Sequence, residues 1–359
     1  MISKKQSNYH NKNKNIIRKN ILLWYDKFGR HNLPWKNKSI YHIWISEIML
    51  QQTQVNTVIP YYTRFIKEIP TLKKLIDSKL DDIMALWSGL GFYRRAINIH
   101  KTCLIIKNKH FGKFPTTYDE IIKLPGIGRT TASAILTFSG NGVNSILDGN
   151  VKRFIQRLYS LMNEKEDKDA LNQLWFLSEN LLSKTRPSDF IQAYMDLGAL
   201  VCKKTNPKCE SCPVRNYCIT RMNNSNLSMS LKSTRKKIKH KKLWTLMLVD
   251  STNNRLYLEK ISYMNLWKGL YSSPLFSEKL ELDKWLLENN LENLASQDIW
   301  QFNHKLSHIE FLFNVRLCKI NYNKKISLMK DNWYNLSDIN IGIPRYQNKI
   351  IKRYIDLHD

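Results

Sequence analysis

From about Ile21 to Ile219 the apolar positions recur every three to four residues, the spacing that lines up one face of an α-helix. The repeat predicts helices over Asn20–Phe28, Tyr41–Leu50, Asn56–Glu68, Leu72–Ile76, Leu80–Trp87, Arg94–Lys107, Tyr118–Ile122, Arg129–Phe138, Val151–Leu161, Ala170–Leu182 and Ser188–Leu200. Prolines and glycines such as Pro70, Pro125, Gly89 and Gly91 punctuate the run. Residues 1–19 read as a loose polar arm and 20–225 as an all-α region. The texture then changes. Asn/Ser-rich sequence leads into a basic stretch containing Lys232, Arg235, Lys236, Lys237, Lys239, Lys241 and Lys242, so 226–242 reads as a linker that can also lie along phosphates. Beyond it, strand-like stretches at Leu243–Val249, Arg255–Lys260, Glu310–Ile320 and Trp333–Asn335 mix with helical patterns at Glu278–Leu291 and Pro344–Leu357. Residues 243–359 are therefore expected to form a separate α+β domain, making the chain multidomain.

Charge sharpens this picture. Lys and Arg number 57 against 30 acids in 359 residues, a formal net charge of +27, which points to a polyanionic partner, nucleic acid before an anionic membrane. Abundant Lys, Asn and Ile, the pattern of AT-rich coding, is a second source of part of that surplus. No run of 18 apolar residues offers a membrane span, and the polar start lacks the apolar centre of a secretory signal. A cytoplasmic location is expected.

Four cysteines, Cys202, Cys209, Cys212 and Cys218, form C-x6-C-x2-C-x5-C, whereas Cys103 and Cys318 stand alone in apolar surroundings. Four thiolates so close in sequence can surround one metal centre; zinc and a 4Fe-4S cluster both accept four sulfurs. The single C-x2-C pair favours iron–sulfur, and the lack of any flavin or nucleotide motif favours a structural cluster.

Three further places carry candidate chemistry. In Leu124-Pro-Gly-Ile-Gly-Arg-Thr130, Gly126 and Gly128 allow a tight turn before a helix N-terminus, where bare amides suit a phosphate; a plain helix turn is the alternative. Asp148 lies in Ile146-Leu-Asp-Gly-Asn-Val151 at a helix start, where an ordinary N-cap is equally expected. Glu47 interrupts the apolar helix Trp44-Ile-Ser-Glu-Ile-Met-Leu50, just ahead of Gln51 and Gln52. A buried carboxyl stays protonated and suits a general acid, although a satisfied core pair explains it as well.

Together these residues resemble the MutY family of adenine DNA glycosylases in the helix-hairpin-helix glycosylase superfamily. The likeness runs from about residue 20 to the end, through Leu33-Pro-Trp35, Ser46-Glu-Ile-Met-Leu-Gln-Gln-Thr-Gln-Val55, Gly89-Leu-Gly91, the hairpin, Leu147-Asp-Gly-Asn-Val151 and the cysteines. It implies an all-α glycosylase core with a helix-hairpin-helix and a 4Fe-4S loop, followed by a MutT-like (Nudix-like) domain marked by Trp267-Lys-Gly-Leu-Tyr271 and His304-Lys-Leu-Ser-His308. No Nudix acidic box is visible.

The resemblance also implies roles. The substrate is duplex DNA holding adenine opposite 8-oxoguanine or guanine, the adenine being flipped out and hydrolysed away by a monomer that starts base excision repair. Glu47 protonates the base, Asp148 faces the sugar cation and Asn150 orients Asp148 or the sugar. Arg30, Trp35 and Gln192 line the base pocket, Gln51 and Gln52 hold the opened duplex or the lesion, and Ser307 and His308 read the lesion. Lyase relatives of the endonuclease III type, the alternative reading, carry a lysine where this chain has Thr130, so no Schiff base and only monofunctional chemistry are expected. Two residues depart from the family. Phe92-Tyr93 replaces Tyr-Tyr, which keeps a ring to wedge beside the lesion but drops a hydroxyl, and Leu306 replaces Phe before Ser-His.

Overall fold

The computed structural model describes residues 4–161, 167–223, 238–262, 264, 266–306, 309–320 and 332–357. The chain divides into two compact units, one of Met1–Ile76 with Lys101–Thr234 and the other of Asp77–His100 with Arg235–Asp359.

The first unit is helical. Its opening helix spans Lys4–Phe28, so the expected loose arm is corrected. Ile17 and Ile21, four residues apart, are both 0% exposed, and they continue through Trp24 and Tyr25 into one apolar core, which is what keeps the helix ordered ahead of Asn20. The helices Ile40–Leu50, Val55–Glu68, Arg129–Phe138, Gly149–Leu158, Lys168–Leu181 and Pro187–Asp196 lie within two residues of the sequence reading at most ends. The predicted Ser188–Leu200 helix instead changes pitch after Asp196, and Leu197–Val201 is a π-helix. A Cβ on Gly198 in that segment would stand 2.6 Å from Asn150 Cβ and 2.8 Å from the Asn150 carbonyl, so glycine is what lets the π-turn press on the Asp148 loop.

The second unit is α+β. Strands β1 (Lys239–Asp250), β2 (Arg255–Tyr257), β3 (Glu259–Lys260), β4 (Tyr271–Ser272), β5 (Leu275–Phe276), β6 (Ala295–Lys305), β7 (Ile309–Ile320) and β8 (Trp333–Asn335) accompany helices Leu80–Trp87, Lys279–Glu288 and Arg345–Asp356, so the expected all-α region over 20–225 is corrected: Asp77–His100 joins this unit. The main sheet runs β6-β7-β1-β2-β8, with β5 on β1 and a separate β3-β4 pair. β1 and β7 run parallel from Lys239 opposite Ile309 to Asp250 opposite Ile320; the other pairings are antiparallel. Three differences from the sequence reading stand out. Lys239–Lys242 belong to β1 rather than to the linker, the expected Arg255–Lys260 strand splits into β2 and β3, and β6 was not anticipated. β6 is polar in sequence and is held by its partner β7, a pairing that local periodicity does not report. The rest of the basic linker, 226–237, lies outside the described residues, as do Ser307 and His308.

Candidate active site

The two carboxyls singled out from the sequence meet in the first unit. Glu47 rides on the Ile40–Leu50 helix among buried Ile43, Trp44, Ile48 and Met49, with only partial solvent access itself. Burial, reinforced by the negative charge of Asp148, pushes its carboxyl up to about 8. Asp148 sits at the start of the Gly149–Leu158 helix and does cap it: Oδ1 accepts from Asn150 N (3.0 Å) and Val151 N (2.7 Å), while Oδ2 accepts from Asn150 Nδ2 (3.1 Å). Burial leaves the Asp148 carboxyl raised too, while these donors and the Arg153 charge oppose the rise. One carboxyl thus has burial and a like charge acting on it, and the other has a set of donors that favour its ionised form.

The surroundings hold this pair in place. Asn150 Oδ1 accepts from Arg153 Nη2 (3.0 Å), and the same guanidinium donates to Gly198 O (2.6 Å) and, through Nε, to Cys202 O (2.8 Å). Arg153 therefore ties the Asp148 loop to the π-helix. Thr130 Oγ1 donates to the Leu147 carbonyl (3.3 Å), one residue before Asp148. No amine stands at that position. Gln51 Nε2 donates to Gly126 O (3.1 Å) and Thr131 Oγ1 (3.2 Å), which binds the helix of Glu47 to the hairpin. Gln52 is exposed with φ of 58°, a left-handed backbone that few side chains adopt.

In the hairpin, Gly126 has φ of 81° and needs to be glycine for the turn. Gly128 differs. Its φ is −98°, and beyond its immediate chain neighbours an added Cβ would meet nothing within 4 Å among the described residues, so none of their side chains requires a glycine there.

Arg30 and Gln192 converge through a residue that sequence reasoning missed. Asp196, 0% exposed, accepts from Arg30 N (2.7 Å), Arg30 Nε (2.8 Å) and Gln192 Nε2 (2.8 Å), with Arg30 Nη2 also 2.6 Å away. The signal was available: Asp196 interrupts an apolar helix just as Glu47 does. Trp35, buried against Tyr62 with ring centroids 5.2 Å apart, shares with Gln192 a recess also lined by Tyr25, Lys36, Asn37 and Asp189. Arg153 and Gly198 were missed as well, and only the fold brings them to Asn150.

Phe92 and Tyr93 belong to the second unit. Phe92 is exposed with φ of 49°, its carbonyl accepts from Arg95 N (2.9 Å), and the Tyr93 hydroxyl accepts from Gly89 N (3.2 Å).

The four-cysteine reading is corrected. Cys202, Cys209, Cys212 and Cys218 line one cavity, but among the described residues no group of three or more His, Cys, Asp or Glu is placed to hold a metal ion. Two of the sulfurs are engaged with Arg157: Cys202 Sγ accepts from Arg157 Nη1 (3.4 Å) and Cys218 Sγ donates to Arg157 O (3.4 Å). Burial pushes the Cys212 thiol up to about 12 and raises those of Cys209 and Cys218. The expected 4Fe-4S cluster is therefore not supported.

With this geometry in view, the chain was compared with known proteins. Residues 45–179 match the family model described as HhH-GPD superfamily base excision DNA repair protein. The adenine DNA glycosylase of Buchnera aphidicola subsp. Baizongia pistaciae is 44% identical over 345 residues, covering 94% of this chain and 96% of the relative. That of subsp. Schizaphis graminum is 41% identical, covering 92% and 96%. Among solved structures, a thermostable thymine-DNA glycosylase aligns with TM-score 0.54 and 25% identity over 59% of this chain and 98% of its own. A trapped endonuclease III–DNA covalent intermediate aligns with TM-score 0.51 and 22% identity over 63% and 100%, a likeness of fold alone. Among the described residues no helix is long and apolar enough to cross a membrane.

Proposed function

The chain belongs to the adenine DNA glycosylase family, and from that premise we propose that it hydrolyses the bond between adenine and deoxyribose in duplex DNA. The enzyme is monofunctional and acts in base excision repair. The observation that carries the mechanism is the unequal environment of its two carboxyls, the arrangement that separates an acid from a stabilising anion.

Glu47, with its carboxyl raised to about 8, is mostly protonated at pH 7 and gives its proton to adenine N7 as the N9–C1′ bond breaks. The bonding electron pair leaves with the base. Asp148, supplied with donors from Asn150 and Val151, faces the positive charge that grows on the sugar, as the ionised partner does in a glycoside hydrolase. Water adds at C1′, and its released proton restores Glu47, leaving free adenine and an abasic site. Asn150, held by Arg153, orients Asp148. The recess of Trp35 and Gln192, braced by Asp196 and Arg30, receives the flipped base. Gln51 acts by fastening the Glu47 helix to the hairpin, and exposed Gln52 is left to meet DNA.

The hairpin grips the phosphate backbone. Gly128 supports this, since the absence of any internal reason for glycine is what close approach of a phosphate would leave behind. The finer reading is that the preferred substrate carries adenine opposite 8-oxoguanine, or guanine, with the second unit acting as a MutT-like lesion reader and exposed Phe92 as a wedge. Whole-length similarity to bacterial adenine DNA glycosylases supports it, because it extends across both units. Thr130 in place of lysine supports base release without strand cleavage.

The test is base release from duplexes holding A:8-oxoguanine, A:G, A:T or thymine glycol, each read with and without alkali. Strand breaks that need alkali, and that are greatest for A:8-oxoguanine, are expected. Alkali-independent cleavage of the thymine glycol duplex, with adenine untouched, would overturn the reading.

A further inference from the structure

Away from the carboxyls, a broad cleft lies between the opening helix and the segment that follows the Lys168–Leu181 helix. Lys14, Arg18, Lys19, Lys184 and Arg186 line it together with Asn15, Ser183 and Thr185. Asp26 supplies the acid of that lining, and both its oxygens are taken by Arg186, at 3.0 and 2.6 Å. Arg186 also pairs with Asp189 at 2.9 Å and is neutralised by the two acids, which leaves Lys14, Arg18, Lys19 and Lys184 facing no further carboxylate in the lining. Lys14 feels the crowding: after burial, the charges of Arg18 and Lys184 lower its ammonium's pKa. Like charges brought together without counter-charge destabilise a fold, and an anion relieves that repulsion.

The position of the cleft suggests which anion. Arg18 donates to the carbonyls of Asn180 (2.9 Å) and Leu181 (3.1 Å), the last turn of the Lys168–Leu181 helix. The same turn carries Glu179, paired at 2.7 Å with Arg129 of the hairpin helix, whose guanidinium stacks 4.0 Å above Trp175. Hairpin and cleft are thus fastened to one helix end, within three residues of each other along it. We propose that the Lys14–Lys19–Lys184 cleft is a second phosphate-binding surface, which follows the backbone of the duplex beyond the hairpin. Exposed Thr185, hydrogen-bonded to Ser183 at 3.2 Å, adds a hydroxyl there, and Arg18 and Arg186 hold the walls. This inference rests on the DNA-binding reading above, but not on which base is removed.

The test uses the full chain with Lys14→Gln, Lys19→Gln and Lys184→Gln combined, and a fully paired duplex with no lesion. Each lost phosphate contact should lower the slope of log affinity against log salt by about 0.9, so the triple variant should be shallower by about 2.7. Between about 50 and about 200 mM salt the parent's advantage should then shrink about 40-fold. Trimming the duplex on one side should abolish the difference, while adenine release from a separate A:8-oxoguanine duplex at saturating enzyme stays at the parent rate. An unchanged slope overturns the proposal. So does an unchanged slope with weakened binding to polyglutamate, which would make the cleft a docking surface for acidic protein. Because the binding slope is read on the lesion-free duplex, which offers no base to remove, failure of adenine release in the parent would count against the proposed function alone.

Discussion

Replacing Glu47 by glutamine separates what this carboxyl does for catalysis from what it does to stability. Its ordinary value is 4.5 and the folded protein raises it to about 8. The folded state therefore holds a proton that the unfolded chain has released. Below pH 4.5 both states are protonated and Glu47 carries no penalty. As pH rises through the interval the stability contributed by the proton is lost, and above pH 8 the loss is complete. The shift corresponds to about 5 kcal/mol at high pH and about 3 kcal/mol at pH 7. Glu47→Gln keeps the shape and never ionises, so it should be more stable than the parent by about 3 kcal/mol at pH 7, with more gained at pH 9 and almost nothing at pH 4. Base release should fall by about 10²–10⁴-fold, the usual contribution of a positioned proton donor. Urea unfolding at the three pH values, beside single-turnover adenine release, reads both. A stability difference that does not change with pH would refute the raised carboxyl, and an active variant would refute its role as the acid.

Other perturbations test the framework around it. Asp196→Asn removes the counter-charge from Arg30 and loosens Gln192; urea unfolding should show a loss of about 3 kcal/mol, at the low end for a buried pair because Arg30 is 27% exposed. Gly198→Ala drives a Cβ into the Asn150 backbone and should lose about 1–3 kcal/mol in thermal melts, with base release falling further than stability explains. Gly128→Ala has room for its methyl and should change stability by less than about 1 kcal/mol; a large loss of duplex affinity is nevertheless expected, and unchanged affinity would remove the hairpin phosphate. Parent activity should decline as pH rises past about 8, where Glu47 gives up its proton, and a rate that climbs through that range would contradict the assignment.

Much of this protein is written locally. An apolar repeat of three to four residues is enough to make helices, and a lone acid in such a repeat is conspicuous because burying it is costly, which is why Glu47 could be singled out before any fold was known. Asp148 before Gly149 was equally legible, since capping is settled within one turn. What local pattern could not decide is which distant groups meet. That Asp148 raises Glu47 depends on two helices a hundred residues apart in sequence. Asp196, Arg153 and Gly198 acquire meaning only through Arg30, Asn150 and Gln192, and β6 exists because β7 lies beside it. The cysteine spacing invited a metal that the placement of the sulfurs does not support, because spacing along a chain limits reach but does not set ligand geometry. Sequence alone determined most of the helices and singled out the two carboxyls. Tertiary structure decided their protonation and their supports, because burial and charge act through space and not along the chain.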